Sequence, residues 1–236
     1  MKSERISIII PTYQHASVLS LCLKAIFAQS RLPDEIIVVN DGSSDETEKI
    51  LEPFMDRIVY LFQENKGNQI ARMRGFQQST GSLILFCDAD VLMHPTMLEK
   101  MEKTIKEHPE VSYVYSSFRF GWKLFKSFSF DVERLKKMNY IHTSTLIRRD
   151  DFPGFDFQLK KFQDWDLWLT LLEREKKGIF LNEVLFEVLV SARRGGISDW
   201  IPSFMYQWPW KCFSRKKKAI RAYEEGKKIL FKKHHL

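Results

Sequence analysis

Two aspartates two residues apart, Asp88 and Asp90, close an apolar run that starts at Leu83 and carries no charge before them. Residues i and i+2 of an extended chain point the same way, so the two carboxylates can converge at the strand's carboxyl end. Two such charges repel unless a cation or hydrogen-bond donors lie between them. A hard divalent ion meets that need, because Mg2+ takes one or two carboxylates and completes its shell with water and phosphate oxygens. The bland alternative is a pair of solvated loop acids, and Asp-x-Asp alone is a weak signal. Asp164 opens Asp164-Trp165-Asp166-Leu167-Trp168-Leu169, where it could serve as a general base or only as the N-cap of a helix. Asp41 follows the β-branched run Ile36-Ile37-Val38-Val39 and could equally well end a strand and begin a turn.

Such acids work only if the backbone brings them together. Arg5 to Ile10 reads as a buried strand stopped by Pro11, and Val18, Leu19, Cys22, Ala25 and Ile26 recur at helical spacing before Pro33. Glu35 to Asn40 is a second strand, and Ser43 with Glu46 forms a capping-box pattern that predicts a helix start. Ile58 to Phe62 is a third strand, followed by a helix over 69–78 that Gly81 closes, and by the strand Leu83 to Cys87. Four strands alternating with three helices predict an α/β fold with an open, mostly parallel sheet and right-handed crossovers. Ligands of such sheets bind outside the carboxyl ends of the strands. Tyr13, Asp41, Asp88 and Asp90 all fall at those ends and are expected to ring one pocket. Neither a Gly-x-Gly-x-x-Gly fingerprint nor a Walker loop is present, which disfavours a dehydrogenase or an ATPase.

Beyond Asp90 the pattern loosens. A helix is expected over 96–107 after Pro95, an aromatic segment over 111–120, a strand over 139–149 and one or two strands over 179–190. Trp165 and Trp168 are expected in the core or a pocket wall. Residues 1–198 read as one domain, with a nucleotide-binding half to about residue 100 and a more irregular half over 101–198; residues 199–236 form a separate tail.

The 37 Lys plus Arg and 30 Asp plus Glu give a net charge of +7. From Met205 onward ten cations face two acids, which leaves 27 against 28, or −1, for residues 1–204. The basic character belongs to the tail, so no nucleic-acid partner is expected for the domain. Trp200, Trp208 and Trp210 precede Arg215-Lys216-Lys217-Lys218, an arrangement that would suit an anionic membrane surface. Docking of the tail on its own domain or on a second subunit, and a solvated basic face, are the competing readings. The three scattered cysteines fit a reduced, cytoplasmic compartment, with peripheral contact at the inner face of the membrane. No apolar run of about 18 residues predicts a membrane span, and the first residues do not read as a signal peptide.

Taken jointly, Ile-Ile-Ile-Pro-Thr-Tyr, Ile-Val-Val-Asn-Asp-Gly-Ser-Ser-Asp-Glu-Thr, Asn68 to Gly75, Asp-Ala-Asp and Gln-Asp-Trp-Asp-Leu-Trp-Leu occur in order over roughly residues 5–190. That series resembles the inverting family 2 glycosyltransferases of GT-A fold. The resemblance implies a nucleoside-diphosphate sugar donor, Mg2+ or Mn2+, and a hydroxyl acceptor on a glycan or lipid-linked glycan. It places Pro11 and Tyr13 at the nucleobase, Asp41 at the base or ribose, and Arg72 near the donor. It makes Asp88 a ribose- or metal-associated acid, Asp90 the metal ligand and Asp164 the general base. His142 is a further candidate metal contact. Gln163 departs from the family's Glu-Asp pair, and Arg193 to Ser198 resembles its mobile loop. The alternatives are a sugar-phosphate nucleotidyltransferase and a non-catalytic sugar-nucleotide module anchored by the tail.

Overall fold

The computed structural model describes residues 4–190 and 217–236. Four strands, β1 (Ile6–Thr12), β2 (Glu35–Asp41), β3 (Val59–Gln63) and β4 (Leu83–Phe86), alternate with helices α1 (Ala16–Phe27), α2 (Thr47–Leu51) and α3 (Asn68–Gln78). They lie in the order β3-β2-β1-β4, and every pairing among them is parallel. Every residue of β1 is buried, as a run covered on both faces must be. Its alternation assigns the faces: Ile6, Ile8 and Ile10 pack with Leu19, Leu23 and Ile26 of α1, while Ile9 joins Ile37, Val39, Phe86 and Ala71 on the α3 side. Gly75 is required there, because a Cβ would lie 2.5 Å from Ile9 Cγ2. The absent side chain lets α3 sit close on β1, and α3 carries Arg72.

The second half widens the same sheet. After β5 (Val91–Met93) and α4 (Met97–Glu107) come β6 (Tyr113–Phe120), β7 (Lys123–Phe125), α5 (Val132–Lys137), β8 (Leu146–Arg148), α6 (Gln163–Glu173) and β9 (Gly178–Val188). The order continues β4-β8-β6-β9-β5, with β7 paired to β6 alone. β8 and β5 run antiparallel to their neighbours, and β6 and β9 are parallel. Trp165 and Trp168 are core residues, their indole N–H groups donating to the carbonyls of Leu135 (2.7 Å) and Ile141 (2.9 Å).

Three local expectations fail, the first two because side chains bind backbone in place of regular structure. The predicted strand over 139–149 shrinks to Leu146–Arg148. Asn139 Oδ1 accepts from Ile141 N, His142 Nδ1 from Ser144 N, and Thr145 Oγ1 donates to the His142 carbonyl, which holds the stretch irregular. Ser43 does not cap α2; its hydroxyl accepts from Gln14 N at 3.0 Å, and the helix starts later, at Thr47. Gly81 does not close α3, which ends on extended Ser79; Gly81 instead packs where a Cβ would meet Ser7 and Arg5.

Of the tail, α7 (Lys217–Lys233) docks on α6. Leu230 is fully buried, the Phe231 ring meets Trp165 at 5.6 Å and the Tyr223 ring meets Phe162 at 4.9 Å. The 193–198 loop, Trp200, Trp208, Trp210 and Arg215-Lys216 lie outside the described residues. Among the described residues no helix is long and apolar enough to cross a membrane.

Candidate functional site

The carboxyl ends of β1, β2 and β4 lie side by side, Thr12 registering with Asn40 and the Cys87 amide continuing the β1 ladder to the Ile9 carbonyl at 2.9 Å. The chain then turns, Val91 N donating to the Asp88 carbonyl at 3.0 Å. Asp88 and Asp90 therefore sit on a turn and not on the extended strand that their spacing predicts. Their carboxylates still feel each other. Burial, then the Asp88 charge, pushes Asp90 up to about 7. Asp88 behaves oppositely: burial raises it, but the Arg72 guanidinium, with lesser help from His142 and Asn68, holds it below the usual carboxylate range. Arg72 Nη2 donates to Asp88 Oδ1 at 2.5 Å and is itself buried.

Asp88 is thus matched to a fixed cation, whereas at Asp90 burial and the Asp88 charge outweigh the Arg72 charge and a backbone hydrogen bond. A divalent cation at Asp90 would favour its ionised form. Among the described residues no three His, Cys, Asp or Glu side chains converge to enclose a metal. The donor set nevertheless suits Mg2+ or Mn2+, which leaves most of its shell to water and phosphate oxygens. Buried Thr12 Oγ1, Asn68 Oδ1 and Arg72 Nε lack hydrogen-bond partners at this same edge. Such a concentration of unmet polar atoms marks a place built for a polar ligand.

Asp41 is buried at 2% exposure and does different work. It accepts from Gln63 Nε2 (2.7 Å), Lys66 N (2.8 Å) and Gly67 N (2.9 Å), tying down the loop that leads into α3. Gly42, at φ 75°, lets that loop close, since a Cβ would lie 2.7 Å from Asn65 N. The start of α3, with Asn68 and then Arg72, is positioned by Asp41. Pro11 is buried in β1, and Tyr13 beyond it is 45% exposed.

Asp164 enters from the second half. It is not the N-cap of α6: that position is Phe162, in the left-handed region at φ 60°, and Asp164 is the second helical residue. Asp164 Oδ2 accepts from Asn139 Nδ2 at 2.7 Å and Oδ1 from Trp165 N at 2.9 Å. Burial raises its pKa, opposed by the Trp165 N–H and by the charge of Arg72. The charge of the Arg72 guanidinium, which bonds Asp88, also favours the ionised forms of Asp90 and Asp164. His142 feels the charges of Asp88 and Arg72, but is pushed down to about 4 by burial and so is neutral at pH 7. Its Nδ1 accepts from Ser144 N, which assigns the ring proton to Nε2. The ring lies 4.8 Å from Phe118 and 5.0 Å from Phe186. Gln163 reaches back to the Leu159 carbonyl at 3.2 Å. Asn139 was invisible in the sequence, because nothing local marks a residue that meets its partner 25 positions later.

A left-handed Phe is a strained conformation held by its surroundings, and α7 supplies them through Tyr223 and the close approach of Gly226 to the Phe162 ring. Beyond, Asp166 Oδ1 meets His234 Nε2 (2.8 Å) and Lys233 Nζ (2.7 Å), while His234 Nδ1 meets Glu173 Oε1 (2.7 Å). Burial lowers the His234 pKa, but the bonds to Asp166 and Glu173 outweigh it and the net shift is upward. A raised histidine contributes stability that is complete below its ordinary value of about 6.5 and is lost as pH rises through the folded value. His234→Gln is accordingly expected to melt below wild type at pH 6, with the gap narrowing by pH 9. Equal gaps at the two pH values in a melting series would refute the linkage.

The model of the family described as glycosyl transferase family 2 matches residues 7–161. A glycosyltransferase of Bacillus subtilis, YwdF, is 32% identical over 180 residues, which are 70% of this chain and 67% of that protein. Among solved structures, TarS 1–349 of S. aureus in complex with UDP-GlcNAc superposes with a TM-score of 0.68 at 18% identity, covering 84% of this chain and 61% of that one. The mannosyltransferase PcManGT of Pyrobaculum calidifontis, in complex with GDP-Man and Mn2+, gives 0.65 at 19% identity over 82% of this chain and 59% of its own. The chain thus spans about two thirds of its Bacillus relative and somewhat less of the two solved structures. The α/β sheet, with its acids at the carboxyl ends of the parallel strands, is a GT-A fold, and this chain belongs to glycosyl transferase family 2.

Proposed function

We propose that this protein is a metal-dependent, inverting glycosyltransferase that moves a hexose from a nucleoside-diphosphate sugar to a hydroxyl of a polysaccharide or lipid-linked glycan. The observation that carries this reading is the turn that sets Asp88 and Asp90 at the carboxyl edge of the parallel strands, with Asp88 bonded to buried Arg72, in a chain of this family. Pro11, Tyr13 and the loop braced by Asp41 would receive the nucleobase and ribose. Asp90, with Asp88 beside it, would hold Mg2+ or Mn2+; when bound, the ion supplies Lewis-acid stabilisation of the charge that builds on the leaving diphosphate. The Mn2+ and GDP-Man named for PcManGT, and the UDP-GlcNAc named for TarS, support that donor class.

Asp164 would accept the acceptor's proton. Its raised pKa makes it a stronger base than an ordinary aspartate, and Asn139 fixes one oxygen so that a lone pair stays directed. Attack from the face opposite the departing diphosphate inverts the anomeric carbon in one step. In the second half, which would bind the acceptor, neutral His142 can donate from Nε2 to a sugar or phosphate oxygen.

The donor is identified by a melting panel. With Mn2+ present, one of the UDP-, dTDP- and GDP-sugars is expected to raise the melting temperature, since a ligand at a hundred times its dissociation constant adds about 2.7 kcal/mol. No shift with any member, with or without Mn2+, would overturn the donor assignment.

A further inference from the structure

We infer that the β6–β7 hairpin, which exposes Trp122 and Leu124 among Arg119, Lys123 and Lys126, is a docking surface for an anionic lipid bilayer. Trp122 is 88% exposed, more than any other large apolar side chain described, and Leu124 is 46% exposed. Val190, 60% exposed, adjoins them, because a Cβ on Gly121 would lie 3.1 Å from its Cγ2. Single exposed apolar residues need no explanation, but a tryptophan on a turn with two apolar neighbours does. Here it packs nothing that the fold requires.

Charge selects the occupant. No acidic residue occurs between Glu110 and Asp131, so the hairpin itself carries three cations and no anion; the neighbouring strand sets Glu187 opposite Arg119, so Lys123 and Lys126 supply the surface's net positive charge. Arg119 and Lys126 are exposed, and the Lys123 ammonium lies 4.9 Å from the Phe125 ring. Tryptophan settles at the boundary of headgroup and acyl chain, and flanking cations are drawn to anionic headgroups. A sugar-stacking platform would place carboxylates or amides beside the ring to bind hydroxyls, and residues 119–126 contain none.

The hairpin is presented rigidly and in a useful place. Phe118 stacks on Phe125 and on Phe186, each at 5.1 Å, and Ser127 bonds back to Ser117 Oγ and the Ser116 carbonyl. Little ordering is therefore lost on docking. In the sheet, Phe120 registers with Val188 and Val188 with Val91, the residue after Asp90. Two strand spacings put the hairpin backbone about 10 Å from that of Asp90. A bilayer on the tip would bring lipid headgroups to the side of the acid centre. Of the described tail, Lys233 and His234 are meanwhile paired with Asp166 of α6.

The test uses the full chain and sedimentation with phosphatidylcholine vesicles, with and without phosphatidylglycerol. Wild type is expected to bind only the anionic vesicles and to release at raised salt. Trp122→Ser with Leu124→Ser should weaken binding by at least about tenfold, and Lys123→Ser with Lys126→Ser by about 25-fold, roughly fivefold per cation. Both pairs are surface changes, and unchanged circular dichroism and melting establish that the variants are folded. Vesicle affinity equal to wild type in both variants would overturn the inference, as would wild type that binds no vesicles. Quenching by a soluble oligosaccharide that Trp122→Ser abolishes, with vesicle binding intact, would assign the surface to a glycan instead. A concentration-dependent dimer abolished by the same change, again with vesicle binding intact, would assign it to a second copy. Nucleotide binding is read separately, so a chain that binds vesicles but no nucleotide would keep this inference and sink the donor reading.

Discussion

Asp90→Asn is expected to abolish Mn2+-stimulated turnover of the donor, by on the order of 10³-fold, while raising the stability of the metal-free protein. Both effects come from one carboxylate. Asp90 is pushed up to about 7 by burial and by Asp88. An acid raised in the folded state costs stability once it must ionise: the protein is most stable below the ordinary value of about 3.9 and loses that margin as pH rises through about 7. At pH 8 the wild type bears the full cost, and an uncharged asparagine removes it. In metal-free buffer at that pH the variant should melt a few degrees higher, the stability–function trade-off expected of a site built for an absent charge. Mn2+ with nucleotide should raise the melting temperature of wild type and leave the variant unmoved. Asp88→Asn is a poorer probe, because it strips the counter-charge from buried Arg72 and should cost about 2–4 kcal/mol by that route alone. Unchanged Mn2+ stimulation in Asp90→Asn would remove Asp90 from the metal.

How far the sequence carried this site depends on the range of the forces involved. The strands β1, β2 and β4 were legible because burial on both faces demands an unbroken apolar run, and Ile6 to Ile10 and Leu83 to Phe86 supply it locally. The order β3-β2-β1-β4 follows from short right-handed crossovers, so the placement of Asp41, Asp88 and Asp90 at one edge was legible too. What each acid does there was not. Asp41 spends its oxygens on Gln63, Lys66 and Gly67, and Asp88 is claimed by Arg72, pairings that depend on how α3 lies on β1. Spacing predicts an extended Asp88-Ala89-Asp90, whereas the Val91 amide closes a turn across it. The strand over 139–149 was overcalled because Asn139, His142 and Thr145 bind their own backbone, a preference that apolar periodicity does not register. The docking of α7 through His234 on Asp166 joins positions 68 apart and leaves no trace in either segment.

The same blindness to long-range pairing makes Asp164 and Asn139 the more discriminating test of mechanism. If Asp164 takes the acceptor's proton, Asp164→Asn should lower transfer by about 10²–10⁴-fold while nucleotide affinity by calorimetry stays at the wild-type value. Asparagine keeps the acceptor oxygen that the Trp165 N–H needs, so α6 should start where it does now. The pH profile separates a base from a structural acid. Transfer by wild type should rise with pH and level off once Asp164 is ionised, at a pH above that of an ordinary aspartate because burial raises its pKa. The Asn139 amide favours the ionised form, so Asn139→Ala should move that limb to still higher pH and leave a plateau within a few fold of wild type. A residue that only braced the helix would lower the plateau without moving the limb. Transfer retained in Asp164→Asn, or a limb that stays in place in Asn139→Ala, would return Asp164 to a structural role.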